Sequence, residues 1–324
     1  MTMSAISVVA TVLNEVQDID WLVTSLMAQT LAPAEVIIVD GGSTDGTWER
    51  LLAAKARYPN LIPVRDESCS LARCPGPISR GRNEAIRAAT CEVIACADAG
   101  CGYDPDWLER LTVSIRNRES EYAVGGSCID PERHTLWDIA SAPFLGVKLS
   151  QDAKTKSCAA RSMAFRKELW QRVGGFPEDI FIGEDTVFDS RMRALVTPAF
   201  AERAKAYYRP LNSFPSAVRQ IASYSVSDGV SGVRPARLLR NLARCALEIV
   251  AVLALVRTPL PLLCVFALEI YFAFRLDWRS LRGSSPRTLV ARFLFSLLVP
   301  WIVIWNQLRG SITRENRLNR QNAG

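Results

Sequence analysis

A short apolar run that ends in polar residues is the clearest element of the chain. Residues 36–39 read Val-Ile-Ile-Val, and an unbroken β-branched run predicts a strand buried on both faces of a parallel sheet. Asp40 ends the run, and Gly41-Gly42-Ser43 then turns the chain toward a helix that Thr44 or Asp45 can cap. Open α/β sheets bind ligands at the carboxyl ends of their strands, so Asp40 is a candidate site residue. The alternative is that Asp40 only stabilises the turn.

The alternation of strand and helix patterns continues through the first third of the chain. We predict strands over residues 6–13, 35–40, 61–64 and 92–97. We predict helices over residues 19–29, from 46 onward, over 78–89 and from 105 onward. Their expected buried faces carry Ile19, Leu22, Val23 and Leu26 in the first helix, Trp48, Leu51 and Leu52 in the second, and Trp107, Leu108 and Leu111 in the fourth. This alternation predicts an α/β fold with a mostly parallel central sheet.

The regularity weakens after residue 122. We predict strands over 122–128 and 160–165. We predict helices over 167–173, from the end of the segment 181–185 through residue 193, and near 215–226. Gly174-Gly175 is expected to end one of these helices with a left-handed cap. Residues 130–156 show no periodic pattern, so we expect an irregular insert there.

Six short motifs follow one another in an order and spacing that is specific as a set. They are Thr11-Val12-Leu13-Asn14-Glu15, residues 38–45, Arg82-Asn83, Asp98, residues 173–176 and residues 183–186. Taken together they resemble the motifs of the family-2 glycosyltransferases, over roughly residues 6–232. The resemblance implies the nucleotide-sugar-binding fold called GT-A, with its mostly parallel central sheet.

The resemblance also implies a binding site for a nucleotide-diphosphate sugar, the donor. The residues implied to line its nucleoside end are Thr11, Asn14, Glu15, Asp40 and Ser43. A carboxylate suits this role because it accepts hydrogen bonds from base or ribose donors. The charge of Arg82, and of Arg80 beside it, is placed to meet the diphosphate. The alternative for both arginines is a solvated helix start.

Asp98 lies where the family has the first carboxylate of its metal-binding Asp-x-Asp motif. The resemblance therefore implies that Asp98 holds a divalent metal, Mg²⁺ or Mn²⁺, which offsets charge on the leaving nucleotide. This sequence departs from the motif because its second position is Gly100. One carboxylate with phosphate oxygens and waters can still bind Mg²⁺. Asp104 and Asp106 are candidate replacement ligands, or alternatively a helix cap.

Glu184 and Asp185 match the acidic pair that the family uses in catalysis. The resemblance implies that Asp185 is the catalytic base, which takes the proton of the acceptor hydroxyl as that hydroxyl attacks the anomeric carbon in line. Glu184 is expected to orient the acceptor or Asp185. The alternative is that both residues only cap the following helix and interact with its dipole.

Composition divides the chain into a soluble part and an apolar, basic part. The chain has a formal charge of +6 and 49% hydrophobic residues, and its long apolar runs fall within residues 245–306. A basic, apolar end favours an anionic membrane surface, and no nucleic-acid-binding motif is present in the sequence. The nine cysteines show no zinc spacing, so we expect reduced thiols in a cytosolic catalytic domain.

These patterns predict a catalytic domain over residues 1–232, membrane-associated helices over 233–310 and a polar basic tail over 311–324. No apolar run reaches the roughly 20 residues that span a bilayer, although two broken helices over 245–274 and 289–308 are a possible hairpin. The loop between them carries Arg275, Arg279, Arg282 and Arg287, which favours the cytoplasmic side. This loop favours helices that lie in the membrane interface over helices that cross it. The alternative is a soluble helical subdomain or a dimer interface.

The function predicted from these observations is transfer of a single sugar, with inversion, to a lipid-linked or cell-surface glycan acceptor at the cytoplasmic face of the inner or plasma membrane. The Gln-x-x-Arg-Trp motif of processive synthases is absent from the sequence. One alternative is a degenerate family member that acts as a membrane-bound scaffold, which Gly100 favours. Another is a nucleotidyltransferase, which the sequence after the first strand disfavours because it lacks a glycine-rich basic loop.

Overall fold

The computed structural model describes residues 5–130, 132–145, 148–149, 160–232, 235–254, 263, 266–267, 269–271 and 284–322. The chain divides into two compact units. The first comprises Met1–Cys128 and Ser150–Arg209, and the second comprises Ile129–Leu149 and Pro210–Gly324. The units do not follow the predicted boundary at residue 232, because residues 210–232 join the second unit.

The first unit begins with four parallel strands, as the apolar runs predict. The strands are β1 (Ile6–Val12), β2 (Glu35–Asp40), β3 (Leu61–Arg65) and β4 (Val93–Cys96), in the spatial order β3-β2-β1-β4. The helices between them are α1 (Ile19–Met27), α2 (Thr47–Arg57) and α3 (Pro77–Ala88). Because the strand order reverses direction between β1 and β4, a ligand crevice is expected at the carboxyl ends of these strands.

The sheet continues beyond β4 with strands that were only partly predicted. They are β5 (Cys101–Tyr103), β6 (Tyr122–Ile129), β8 (Met163–Arg166) and β9 (Ala199–Tyr208), and the order continues β4-β8-β6-β9-β5. A two-residue strand, β7 (Lys148–Leu149), precedes β8 in the chain. The sequence analysis missed β5 and β9, because β5 has three residues and the apolar positions of β9 are mostly alanine.

Two apolar clusters cover the two faces of this sheet. One contains the buried faces of α1 and α4 (Trp107–Arg116), and the other contains residues of α3, α6 (Lys167–Arg172) and α7 (Glu184–Leu195). The buried residues of α1 are the predicted Ile19, Leu22, Val23 and Leu26. The predicted face of α2 is partly wrong, because Leu51 is buried while Leu52 is 47% exposed.

Apart from β7, the second unit is mainly helical in the part that the structure describes. It contains α5 (Leu136–Leu145), α8 (Phe214–Ser231), α9 (Pro235–Ala254) and α10 (Pro286–Asn322). Its buried cluster includes Ala217 and Ile221 of α8 and Phe295 and Val299 of α10. The predicted loop with Arg275, Arg279 and Arg282 lies outside the described residues.

Helix α5 corrects the expectation of an irregular insert over 130–156. Thr135 caps the helix, because its Oγ1 accepts a hydrogen bond from the Trp137 amide (3.2 Å). Asp138 completes the cap by accepting one from the Thr135 amide (2.7 Å). The spacing of Thr135 and Asp138 is a local sequence signal for the start of this helix. The rest of the insert, apart from β7, is largely outside the described residues.

Candidate active site

The turns after β1 and β2 are joined by hydrogen bonds between predicted site residues. Asn14 has a left-handed backbone (φ 56°), its amide donates to Ser43 Oγ (2.8 Å), and its Oδ1 accepts from the Thr44 amide (2.9 Å). The Glu15 amide donates to Thr47 Oγ1 (2.8 Å) at the start of α2. The structure therefore brings Asn14, Glu15 and Ser43 together at the carboxyl end of the sheet.

Asp40 is fully buried and uses one of its two carboxylate oxygens to hold the turn. Its Oδ1 accepts hydrogen bonds from the amides of Gly42 (2.7 Å) and Ser43 (2.6 Å). Its Oδ2 is also buried and has no hydrogen-bond partner among the described residues. An unsatisfied buried oxygen costs about 1–3 kcal/mol, more for a charged group, so this atom is suited to a ligand that donates a hydrogen bond.

Helix α3 packs closely on β1 at Thr11. A Cβ atom at Gly81 of α3 would lie 2.3 Å from Thr11 Oγ1, so only glycine fits at this approach. The following residue, Arg82, is 4% exposed and points into the unit. Close packing at Gly81 thus sets the position from which Arg82 reaches the carboxylates beside it.

Arg82 joins two acidic residues that the sequence analysis assigned to different roles. Its Nη2 donates to Asp98 Oδ1 (2.6 Å) and its Nη1 donates to Glu184 Oε1 (2.9 Å). Burial disfavours its charged form, but the Asp98 and Glu184 carboxylates outweigh this effect, so the pKa of Arg82 is raised. With both Nη atoms in ion pairs, Arg82 is placed to position carboxylates rather than to contact a diphosphate. Its predicted diphosphate contact stays a prediction.

The acidic pair lies in the first turn of α7, after Gly183 in a left-handed conformation (φ 85°). Glu184 is 7% exposed, and burial together with the Asp185 carboxylate raises its pKa against the opposing effect of Arg82. Asp185 is half-buried, and its Oδ1 accepts hydrogen bonds from the Thr186 amide (2.6 Å) and Thr186 Oγ1 (3.3 Å). Of the two, Asp185 is the residue that a substrate can reach.

Asp98 follows β4 and pairs with two positively charged side chains, Arg82 and Arg161. Its amide donates to Tyr103 Oη (2.9 Å), and its Oδ2 lies 3.8 Å from Arg161 Nε. On the other side of Gly100, the guanidinium group of Arg209 forms ion pairs with Asp18 Oδ2 (2.6 Å) and with Glu15. Burial of Glu15 raises its pKa, which Arg209 opposes. The sequence analysis did not identify Arg161 or Arg209, because their position depends on strand pairing.

The described residues around Asp98 do not form a site in which protein side chains alone would hold a divalent metal ion. The described residues contain no group of three or more His, Cys, Asp or Glu side chains that could hold one. Asp104 Oδ1 accepts from Tyr207 Oη (2.6 Å), and Asp106 pairs with Arg110, so neither replaces the missing second carboxylate. The predicted metal role of Asp98 therefore lacks an acidic partner among the described residues.

Acidic residues follow β1, β2 and β4 in a sheet of order 3-2-1-4, and this topology defines an α/β protein with a ligand crevice expected at its switch point. The family model described as Glycosyl transferase family 2 matches residues 7–173, slightly more than half of the 324-residue chain. The chain belongs to this family, and the predicted GT-A fold is confirmed.

Curated relatives agree with this assignment. Glycosyltransferase AglE of Haloferax volcanii is 27% identical over 203 residues, which are 59% of this chain and 62% of that protein. Succinoglycan biosynthesis protein ExoA of Rhizobium meliloti is 28% identical over 210 residues, 59% of each chain. The chain thus spans about three fifths of the length of these relatives. The crystal structure of S. aureus TarS 1-349 with UDP has a TM-score of 0.49 and 17% identity, covering 96% of this chain and 91% of that one.

Proposed function

We propose that this protein transfers one sugar from a nucleotide-diphosphate sugar to an acceptor hydroxyl, with inversion at the anomeric carbon. The observation that carries the proposal is the buried Asp40 Oδ2, which has no partner among the described residues and lies at the carboxyl end of β2. A base or ribose N–H or O–H group of the donor supplies the hydrogen bond that this oxygen lacks. The turn formed by Asn14 and Ser43 lines the same end of the sheet.

The acidic pair of α7 supports a base-catalysed displacement. Asp185 takes the proton of the acceptor hydroxyl while that oxygen bonds to the anomeric carbon, and the bond from this carbon to the diphosphate oxygen breaks. The nucleoside diphosphate leaves with the electron pair of the broken bond. Glu184 cannot share this role while it is buried and bonded to Arg82, so it positions the start of α7.

The helices of the second unit support a membrane location for the acceptor. By length and composition alone, one helical stretch among the described residues, Pro286–Glu315, could cross a membrane, and a core helix of a soluble protein can meet the same criterion. Its exposed side chains include Trp301 and Trp305, which are suited to a membrane interface. We propose a lipid-linked or cell-surface glycan acceptor at the cytoplasmic face, and the name of ExoA, a succinoglycan biosynthesis protein, supports a glycan.

The donor site is tested by thermal unfolding of the full chain with a panel of nucleoside diphosphates and their sugars. A ligand that binds only the native state raises the midpoint by mass action. We expect one nucleotide to raise it, and no response to any of them would instead favour the scaffold alternative. Incubating membranes with the labelled sugar donor then tests transfer, and NMR of the product's anomeric coupling tests inversion.

Membrane attachment is tested by flotation of the protein with anionic and with neutral vesicles. We expect flotation with anionic vesicles, because the chain is basic. Release by alkaline carbonate identifies helices that lie in the interface, and retention identifies helices that cross the bilayer. A protein that stays at the bottom of the gradient with both vesicle types does not attach to lipid.

A further inference from the structure

The guanidinium group of Arg209 lies where the family's second metal-binding carboxylate would begin. Gly100 occupies that sequence position with a left-handed backbone (φ +66°). A Cβ atom at Gly100 would lie 2.9 Å from Arg209 Nη2 and 3.2 Å from Arg209 Nε. The Arg209 amide also donates a hydrogen bond to the Gly100 carbonyl (2.8 Å). A cationic side chain thus replaces an anionic one at this place.

Strand pairing fixes this arrangement. β5 and β9 are antiparallel, with Cys101 opposite Tyr208, so Arg209 follows β9 exactly where Gly100 precedes β5. The ion pairs of Arg209 with Glu15 and Asp18 hold its guanidinium group in place. The side chain is nevertheless 46% exposed, so a ligand can reach it.

The guanidinium groups beside Asp98 and Gly100 favour a phosphate group over a metal ion at the motif position. Arg82 is bonded to one oxygen of Asp98, Arg161 lies beside the other, and Arg209 lies against Gly100. A divalent cation at Asp98 would be repelled by Arg82 and Arg161, which pair with the two oxygens of that carboxylate. Guanidinium groups bind phosphate oxygens through paired, charge-assisted hydrogen bonds.

We propose that Arg209 binds the diphosphate of the nucleotide-sugar donor directly, in the place of a metal ion, and that donor binding needs no divalent cation. The positive charge of Arg209 then stabilises the negative charge that develops on the leaving diphosphate. This inference rests on the proposed function, because it assumes that the donor binds at the carboxyl ends of β1, β2 and β4.

Calorimetric titration of the full chain with UDP, GDP, CDP, ADP and dTDP tests the inference, once with excess EDTA and once with excess Mn²⁺ or Mg²⁺. We expect the nucleotide that binds to have the same Kd in both conditions. Arg209→Gln should weaken this binding by about tenfold or more, which is the effect of losing a charged hydrogen bond. Arg203→Gln is the matched control, because Arg203 is an exposed arginine of β9, the strand that Arg209 follows, and we expect this variant to bind as the wild type does.

Titration with the corresponding nucleoside, which carries no phosphate, separates direct binding of the diphosphate by Arg209 from a structural role of Arg209. If Arg209 contacts the diphosphate, R209Q should bind the nucleoside as tightly as the wild type. Equal weakening of nucleoside and nucleoside diphosphate would show that Arg209 only orders Glu15 and Asp18, and would overturn the inference. Arg209→Lys should recover part of the diphosphate binding, because it keeps the charge without the bidentate geometry.

A double variant that restores the family motif provides the converse test. Gly100→Asp with Arg209→Gln supplies the second carboxylate and removes the opposing cation, and aspartate is among the residues that tolerate a left-handed backbone. We expect this variant to bind the diphosphate only with Mn²⁺ or Mg²⁺. Wild-type binding that is tenfold or more tighter with metal than with EDTA would overturn the inference and leave the proposed function standing. Failure of every nucleotide in both conditions would instead reject the proposed function, and the inference with it.

Discussion

Arg82 donates one hydrogen bond to Asp98 and another to Glu184, at 2.6 and 2.9 Å. These two acids are 86 residues apart in sequence (184 − 98) and have different roles in the proposed reaction, one beside the donor and one beside the base. Because one buried guanidinium group holds both, the position of the acidic pair of α7 depends on the strand that ends at Asp98.

We expect Arg82→Gln to lower the free energy of unfolding by about 3–5 kcal/mol, because it leaves the buried Glu184 carboxylate without its cation and removes one of the two cations beside Asp98. Denaturant unfolding measures the change. Arg87→Gln is the matched control on the same helix, since Arg87 pairs with Glu84 at the surface and should cost no more than about 1 kcal/mol. Similar losses for both variants would show that the bridge does not stabilise the fold.

Asp40→Asn should weaken nucleoside binding while the folded protein keeps its stability. The remaining side-chain oxygen can still accept hydrogen bonds from the amides of Gly42 and Ser43, whereas the new amide nitrogen cannot accept one from a ligand. We expect a loss of about tenfold in affinity, measured by calorimetry with the nucleoside diphosphate. Unchanged affinity with an unchanged unfolding midpoint would assign Asp40 to the turn alone.

Asp185→Asn should lower the rate of sugar transfer by about 10²–10⁴-fold and leave donor binding nearly intact, because only the proton acceptor is lost. The asparagine oxygen can keep the hydrogen bond from the Thr186 amide, so α7 should begin at the same place. Single-turnover assays and calorimetry on the same preparation measure the two effects. Transfer at the wild-type rate would exclude Asp185 as the base.

Glu184 and Glu35 should change stability with pH in opposite directions. Burial raises the folded-state pKa of Glu184 above its usual 4.5, so its contribution to stability is fully present below pH 4.5 and is lost as the pH rises through the folded pKa. The stability of wild type minus that of Glu184→Gln should therefore fall as the pH rises. A difference that rises with pH would contradict the assignment.

Glu35→Gln is the control for this pH dependence. The pKa of Glu35 is lowered overall. Burial acts to raise it, but hydrogen bonds from Ser7 Oγ (2.6 Å) and from the Thr90 amide (2.6 Å) and hydroxyl (2.9 Å) outweigh the effect of burial. Its contribution is present above pH 4.5 and is lost as the pH falls through the folded pKa. Wild type minus Glu35→Gln should therefore rise with pH. Denaturant unfolding across a pH series measures both differences.

The sequence by itself determined the elements whose signal is local. The β-branched run at residues 36–39 forms a fully buried strand, α1 buries the predicted four residues, and Gly174-Gly175 adopts the predicted left-handed backbone. These features depend on side-chain periodicity and backbone sterics, which neighbouring residues set. The family motifs are local as well, so the fold and the family follow from the sequence.

Only the tertiary structure decided which distant residues meet at the site. Arg209 lies against Gly100 because β9 pairs with β5 in one register, and Arg82 reaches Glu184 because α3 packs closely on β1 at Gly81. Neither contact leaves a periodic or local signal in the chain. The exposure of Leu52, one residue from the buried Leu51, has the same origin, because packing of α2 on the sheet selects one side of the helix.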